Sequence, residues 1–232
     1  MTSVPFPSID ADSVGWIDES AMIEVDRVMI EDLGIVLLQM MENAGRNLAR
    51  VVLDLYRPKS VAVACGSGGN GGGGMVAARH LTNAGVSVTV TTTRTPSDLS
   101  GVPAVQFEIL RRMGVPHSDG LVDADVTVDA VIGYSLRGAP TGRSGDLIKT
   151  MSGRRNVVAL DTPSGLNVST GQTPGWFVSA DTTMTLALPK IGMRDHPAVG
   201  RLLLADISVP VSVSNPLGGA PDFFASPILT LS

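Results

Sequence analysis

The fold class of this chain is decided by one segment, Ser60-Val-Ala-Val-Ala-Cys65-Gly-Ser-Gly-Gly-Asn70-Gly-Gly-Gly-Gly74-Met-Val-Ala-Ala-Arg-His-Leu81. Its first six residues are an apolar run that predicts a buried strand, and its last residues predict a helix to about Asn83. The segment between them holds far more glycine than a tight turn requires; glycine adopts positive φ and lets a ligand approach the backbone. The N–H groups at the start of the helix favour an anion such as phosphate. We therefore predict a ligand-binding turn here, with a turn that binds nothing as the alternative.

Outside this segment, strands and helices alternate along the chain. Further helices are predicted at about Asp18–Leu33, Leu37–Tyr56, Ala104–Met113 and Gly145–Met151. Further strands are predicted at Val86–Thr92, weakly near Pro116, and at Val126–Ile132, Val157–Leu160, Thr182–Leu186 and Arg201–Ile207. Strands that alternate with helices across short loops form a mostly parallel sheet covered on both faces. The pattern therefore predicts a three-layer α/β fold with helices on both faces of a mostly parallel central sheet.

Composition and charge exclude several classes of protein. The chain has 232 residues, of which 44% are hydrophobic and 17% charged, and this suits one large domain whose central strands are buried. The net charge of −5 provides no basic field for nucleic acid, and Cys65 as the only cysteine excludes an intramolecular disulfide and a multi-cysteine metal cluster. Leu33–Met41 is too short and too interrupted to span a bilayer, and the N-terminus lacks a signal peptide. We expect a cytoplasmic protein without a nucleic-acid or membrane partner.

The sequence predicts one domain with two irregular ends. Residues 1–15 are rich in Pro, Ser and Asp and predict a flexible lead-in. Residues 16–210 predict a single domain, because neither an internal repeat nor a linker interrupts them. Residues 211–232 contain several prolines and two adjacent glycines and predict an irregular tail.

Polar side chains follow three of the predicted strands. Asn70 lies within the glycine segment, Asp129 follows the strand residues Val126–Val128, and Asp161 ends the strand that begins at Val157. In open parallel sheets the ligand crevice lies outside the carboxyl ends of the strands, so these side chains are expected at one edge. Either aspartate alone is as well explained as the cap of the following loop. Together with the glycine segment, they favour a binding site.

Five short motifs resemble the N-terminal, YjeF-type domain of the NAD(P)H-hydrate epimerases, in the order of that family. They are Met41-Glu-Asn-Ala-Gly45, Gly66–Gly74 with Met75-Val-Ala-Ala-Arg-His-Leu81, Asp129-Ala-Val-Ile-Gly133, Leu160-Asp-Thr-Pro-Ser-Gly165 and Leu188-Pro-Lys190. The resemblance runs from about Glu19 to Pro210. It implies a Rossmann-like fold, a homodimer, and interconversion of the R and S forms of hydrated NADH or NADPH. It also implies a functional link to a separate ADP- or ATP-dependent NAD(P)H-hydrate dehydratase.

The resemblance also implies site residues. The dinucleotide-binding positions correspond to Gly69, Asn70, Gly71, Gly72 and Gly73, to Gly133, Tyr134, Ser135, Leu136, Arg137, Gly138 and Ala139, and to Asp161. One potassium ion per subunit is implied at Asn70, Asp129 and Ser164, whose oxygen atoms suit a hard cation. The family's loop usually reads Asn-Asn-Gly-Gly-Asp, and here Gly69 and Gly73 replace its first and last residues.

Inversion of the hydroxyl-bearing ring carbon needs a group that donates a proton and accepts one. We predict that Asp161 is this acid/base and that Lys190 keeps it charged or orients the substrate hydroxyl. Gly69 and Gly73 favour an alternative, a catalytically degenerate nucleotide-binding or scaffold domain of the same fold. A hydride-transferring dehydrogenase is a weaker hypothesis, because no acidic residue ends the strand Val86–Thr92.

Overall fold

The computed structural model describes residues 5–218 and 226–232, which form one eight-stranded sheet. Its strands are β1 Ser8–Ile9, β2 Ser60–Cys65, β3 Ser87–Thr92, β4 Val126–Ala130, β5 Val157–Leu160, β6 Thr182–Leu186, β7 Arg201–Ala205 and β8 Ile228–Leu231. They are arranged in the order β1-β8-β7-β6-β5-β4-β2-β3. Neighbouring strands are parallel, except that β8 is antiparallel to β7.

Helices cover both faces of this sheet. They are α1 Glu19–Arg27, α2 Leu37–Tyr56, α3 Gly69–Asn83, α4 Gly101–Arg112, α5 Gly142–Met151 and the short α6 Val211–Ser214. Helices α2, α3 and α4 pack on one face through a core that includes Leu48, Leu81 and Leu110. Helix α5 packs on the other face, where Ile148 and Met151 meet the β5 side chains. The predicted three-layer α/β fold with a mostly parallel sheet is confirmed.

Helix α1 begins where the sequence predicts, but it ends at Arg27, before the predicted end at Leu33. The Asp18 carboxylate caps it by accepting the Ala21 N–H over 2.8 Å. The chain then continues as a π-helix over Val28–Asp32, where an α-helix to Leu33 was expected. Among residues 5–218 and 226–232, every helix is too short or too polar to cross a membrane.

Both ends of the chain differ from the predicted irregular segments. Strand β1 lies within the predicted lead-in and pairs in parallel with β8, which lies within the predicted tail. Phe6 anchors the start of the chain, because its ring is buried in the core under α2. Strand β1 has two residues, too few to show a periodic pattern, and its partner β8 lies more than 200 residues away. Strand β8 is held between β1 and β7. The predictions for residues 1–4 and 219–225 lie outside the described residues.

Candidate active site

The ends of three neighbouring strands bring the candidate residues to one edge of the sheet. Parallel pairing places Ala64 of β2 beside Asp129 of β4, and Asp129 beside Ala159 of β5. The segments that follow these three strands therefore leave the sheet side by side, at the edge formed by the carboxyl ends of the strands. They enclose a cavity of about 650 Å³, a volume typical of small-molecule sites.

The cavity has three walls. One is the glycine segment, from Gly66 to Asn70 together with Gly73, and a second is the loop from Val131 to Thr141 without Gly138. The third wall is apolar and comes from α1, the π-helix and α2, with Met22, Ile30, Leu37, Met40 and Met41. Asp161 lies among them at the end of β5. The cavity therefore combines backbone N–H groups and carboxyl groups with a largely apolar side that a flat ring could occupy.

The glycine segment is a helix start rather than a loop with unusual backbone angles. Helix α3 begins at Gly69, and no residue between Gly66 and Gly74 has a positive φ. The sequence argument from positive φ was therefore wrong. Glycine is required here by close packing: a Cβ at Gly71 would lie 1.9 Å from the Gly66 carbonyl oxygen, and one at Gly72 would lie 2.6 Å from Met41.

This packing predicts opposite effects for two alanine substitutions in one helix. A Cβ at Gly74 would lie 2.5 Å from the Ala130 methyl group of β4, whereas a Cβ at Gly69 would meet nothing within 4 Å. Gly74→Ala is expected to lower the free energy of unfolding by about 1–3 kcal/mol through overpacking. Gly69→Ala is expected to raise it by about 0.5–1 kcal/mol, because alanine restricts the unfolded chain. Urea unfolding of both variants measures this, and equal effects would contradict the packing argument.

Asp161 forms a buried ion pair beneath the cavity. Lys190 Nζ donates to Asp161 Oδ1 over 2.5 Å, to Thr185 Oγ1 over 3.1 Å and to the Leu186 carbonyl over 2.8 Å. The lysine is fully buried and its three donors are used, so it does not reach a bound substrate. Lys190 is therefore placed to hold Asp161, and the predicted alternative, that it orients the substrate hydroxyl, does not agree with this position.

The backbone of Asp161 is itself strained. Its φ of 68° lies in the left-handed region, which residues with a Cβ seldom adopt. Its N–H donates to Met184 of β6, and its second oxygen accepts the Tyr134 N–H over 3.0 Å. Such strain persists where surrounding contacts fix the residue, and it occurs frequently at functional sites.

Asp129 is completely buried, two residues before Val131, which lines the cavity. Its carboxylate accepts from the Val131 N–H, the Ser164 N–H and the Ser164 hydroxyl, all of which are neutral donors. Burial raises the pKa of Asp129 to about 6, although these hydrogen bonds act in the opposite direction. Asn70 lines the cavity with its amide facing Gly133, and its Nδ2 is buried without a partner among the described residues.

The structure separates the predicted dinucleotide-binding residues into two groups. Gly69, Asn70, Gly73, Gly133, Tyr134, Ser135, Leu136, Arg137, Ala139 and Asp161 line the cavity. Gly71, Gly72 and Gly138 do not, and the first two face Gly66 and Met41 instead. The sequence analysis missed Asp26, which also lines the cavity. A signal for it existed, because Asp26 interrupts the apolar stripe of α1.

Comparisons with known proteins agree with this fold. Residues 37–192 match a family model described as YjeF-related protein N-terminus. The NAD(P)H-hydrate epimerase of Dehalogenimonas lykanthroporepellens is 40% identical, over 91% of this chain and 89% of the relative. The crystal structure of yeast ynu0 has a TM-score of 0.82 over 94% of this chain and 100% of its own; at 22% identity, this shows a shared fold.

Other relatives are longer than this chain. The bifunctional NAD(P)H-hydrate repair enzyme Nnr of Hyperthermus butylicus is 41% identical over 82% of this chain, which spans 38% of that enzyme. The family model and the relative from Dehalogenimonas lykanthroporepellens both cover most of the chain. The chain therefore belongs to the family of the YjeF-related protein N-terminus, in which NAD(P)H-hydrate epimerases are found.

Proposed function

We propose that this chain is an NAD(P)H-hydrate epimerase, an isomerase that interconverts the R and S forms of hydrated NADH and NADPH. The main structural support is Asp161, a carboxylate that lines the cavity and accepts a hydrogen bond from the buried Lys190 Nζ at Oδ1 over 2.5 Å. Relatives that match nearly the whole chain bear the name of this activity, which supports the proposal. The activity would repair cofactors that have been damaged by addition of water.

The cavity offers suitable groups for the two parts of such a substrate. Gly68, Gly69 and Asn70 line it at the N-terminus of α3, a helix of 15 residues. Free N–H groups and the helix dipole at this end favour the phosphates of a dinucleotide. The apolar wall with Met22 and Met40 suits the hydrated nicotinamide ring, which would then lie near Asp161.

Asp161 is the proposed acid/base. Epimerisation requires the hydroxyl-bearing carbon to lose its oxygen substituent, or the ring to open, and then to reform the bond on the other face. Each half of this reaction moves a proton, and a carboxyl group in contact with the ring can accept or donate it. The Tyr134 N–H and Lys190 fix both oxygens of Asp161, so the group is oriented before the substrate binds.

A potassium ion held by Asn70, Asp129 and Ser164 is part of the proposal. The donor set fits: Asp129 is a fully buried carboxylate whose hydrogen-bond partners are neutral, so a bound cation would compensate its charge. The Asn70 Nδ2 is buried without a hydrogen-bond partner among the described residues, and rotation of the amide by 180° would put its oxygen in that place. When bound, the ion would supply positive charge and order the segments that carry these residues.

We expect potassium to stabilise the protein through Asp129. At equal ionic strength, potassium chloride should raise the midpoint of thermal unfolding relative to tetramethylammonium chloride. The gain corresponds to about 2.7 kcal/mol when potassium is at 100 times its Kd. Asp129→Asn should abolish the difference between the two salts, whereas Asp123→Asn, at an exposed position before β4, should keep it. An unchanged difference in Asp129→Asn would exclude the assignment.

The alternative is a nucleotide-binding domain of this fold without catalytic activity. Gly73, where the family usually carries Asp, favours this alternative because it removes an acceptor that would face the ligand. Substitution back to Asp is not a clean test, because a Cβ at this position would lie 2.9 Å from the Leu160 side chain.

The assay that distinguishes these functions measures exchange between the R and S hydrates. Purified protein is added to one epimer of hydrated NADH or NADPH, and the approach to equilibrium is followed by NMR or chromatography. An enzyme-free control gives the spontaneous rate. We expect the protein to exceed this rate, and binding of the hydrates without acceleration would establish the binding domain instead.

We propose further that two copies of the chain associate and that the activity serves a dehydratase that consumes one epimer. Exposed apolar side chains between α1 and the start of α2 support the first statement, because such patches mark interaction surfaces; they are Ile23, Ile30, Leu33, Val36, Leu37 and Leu38, of which Ile30 and Leu37 also line the cavity. The bifunctional names of longer relatives support the second. Sedimentation of the chain as a monomer at micromolar concentration would exclude the homodimer. A cytoplasmic location stays a prediction.

A further inference from the structure

A second carboxyl group faces the same cavity from helix α1. Met22, Val25 and Met29 form the buried stripe of this segment, and Asp26 stands within that stripe, one turn after Met22. A carboxyl group on an apolar helix face loses hydration, which costs stability unless the group is used or compensated. Asp26 and Met22 both line the cavity that holds Asp161.

Tyr134 connects Asp26 to Asp161. Its hydroxyl donates to Asp26 Oδ2 over 2.6 Å, and its backbone N–H donates to Asp161 Oδ2 over 3.0 Å. The two carboxyl groups are thus held at the two ends of one tyrosine residue. Their partners differ: Asp161 has the Lys190 ammonium as a counter-charge, whereas the Tyr134 hydroxyl is neutral.

We propose that Asp26 and Tyr134 form a second proton-transfer arm, so that epimerisation uses two carboxyl groups, one for each face of the ring. This inference rests on the proposed function and deepens it. Burial has the largest effect on the pKa of Asp26 and raises it, and the negative charge of Asp161 raises it too. The hydrogen bond from Tyr134 and the positive charge of Lys190 lower it. The net effect is a raised pKa, so this carboxyl keeps its proton to a higher pH than an ordinary aspartic acid. Two carboxyl groups in contrasting surroundings suit one acid and one base.

The proton balance of the reaction closes with this pair. When Asp26 is protonated, the hydrogen bond to Tyr134 reverses: Asp26 gives its proton to the Tyr134 oxygen, and the Tyr134 hydroxyl turns and gives its own proton to the hydroxyl on the ring carbon beside the nitrogen. The carbon–oxygen bond breaks, its electron pair leaves with water, and the nitrogen lone pair forms a C=N bond. Water then adds to the other face, the C=N electrons return to nitrogen, and the surplus proton goes to Asp161. The protein now carries its proton on Asp161, the form suited to the opposite epimer, and exchange with solvent restores the first form.

The test compares two variants that interrupt the proposed proton path, one that keeps the hydrogen bond between the two residues and one that removes the hydroxyl. Asp26→Asn still accepts the Tyr134 hydrogen bond, and we expect it to lower kcat for R-to-S exchange roughly 10- to 100-fold with little change in KM. Tyr134→Phe should lower kcat similarly, and the double variant should add little, because both residues act in one arm. Glu24→Gln, exposed on the same helix, should keep the wild-type rate.

The pH profile separates this arm from a structural role. Asp26 is influenced by the Tyr134 hydroxyl, the Asp161 carboxylate and the Lys190 ammonium, and Asp26→Asn retains all three. Wild-type kcat should fall as pH rises past the raised pKa of Asp26, because the proton donor is lost, and the variant should lack this fall. Folded Asp26→Asn or Tyr134→Phe protein with a wild-type rate and pH profile would overturn the inference. Should Asp26→Asn fail to fold, Tyr134→Phe decides alone. Wild-type protein no faster than the enzyme-free control would refute the proposed function itself.

Discussion

Replacement of Asp161 by asparagine is expected to slow exchange between the two hydrates by roughly 10²- to 10⁴-fold. Asparagine keeps the shape of the side chain and one acceptor, but it cannot take up and release a proton at neutral pH. The apolar wall and the N-terminus of α3 are unchanged, so the affinity for the hydrates should change much less than the rate. Single-turnover exchange at saturating protein measures the chemical step, and equilibrium titration measures binding.

Two controls make this experiment specific. Asp119→Asn removes a carboxylate with a fully exposed side chain and should keep the wild-type rate. Asp161→Asn also deprives the Lys190 ammonium of its counter-charge, so its folded fraction is determined by thermal unfolding and the rate is expressed per folded molecule. Folded Asp161→Asn protein with a wild-type rate would remove Asp161 from the mechanism.

The largest effect on stability is expected from Lys190→Met. Methionine fills a similar volume but leaves Asp161 as a buried carboxylate whose exposed fraction is 3%. Breaking a buried ion pair on one side costs about 3–5 kcal/mol of unfolding free energy, because the remaining charge is uncompensated. Urea unfolding at neutral pH measures this loss. Lys59→Met, at an exposed position before β2, should stay within about 0.5 kcal/mol of wild type.

The double variant Asp161→Asn with Lys190→Met tests whether the loss comes from the orphaned charge. It leaves a neutral pair of similar shape, and replacement of a buried ion pair by neutral residues is often close to neutral in stability. The double variant should therefore be more stable than either single variant while exchange stays slow. If the double variant loses as much free energy of unfolding as the two single variants together, the two residues act independently.

The sequence predicted the regular part of the fold because the apolar patterns there are long and periodic. Helix α2 over Leu37–Tyr56 and strand β5 over Val157–Leu160 have the predicted bounds, and the same holds for β6 over Thr182–Leu186. Strands β1 and β8 were not predicted. Strand β1 has two residues, too few to show a pattern, and β8, which is as long as β5, follows a segment rich in proline and glycine that indicated an irregular tail. The π-helix over Val28–Asp32 gave no signal, because an apolar residue every three or four positions also fits an α-helix.

By itself, the sequence determined the alternation of strands and helices, the edge of the sheet where the cavity lies, and the motifs that show the family. These features depend on local patterns and on rules that hold for parallel sheets. Only the tertiary structure decided why Gly71, Gly72 and Gly74 of α3 are glycines, because a Cβ at these positions would collide with Gly66, Met41 and Ala130. It also decided that Lys190 supports Asp161 from behind and that Asp26 joins the pocket through Tyr134. The interacting residues are 29 and 108 positions apart, and contacts across such distances are set by packing rather than by any local pattern.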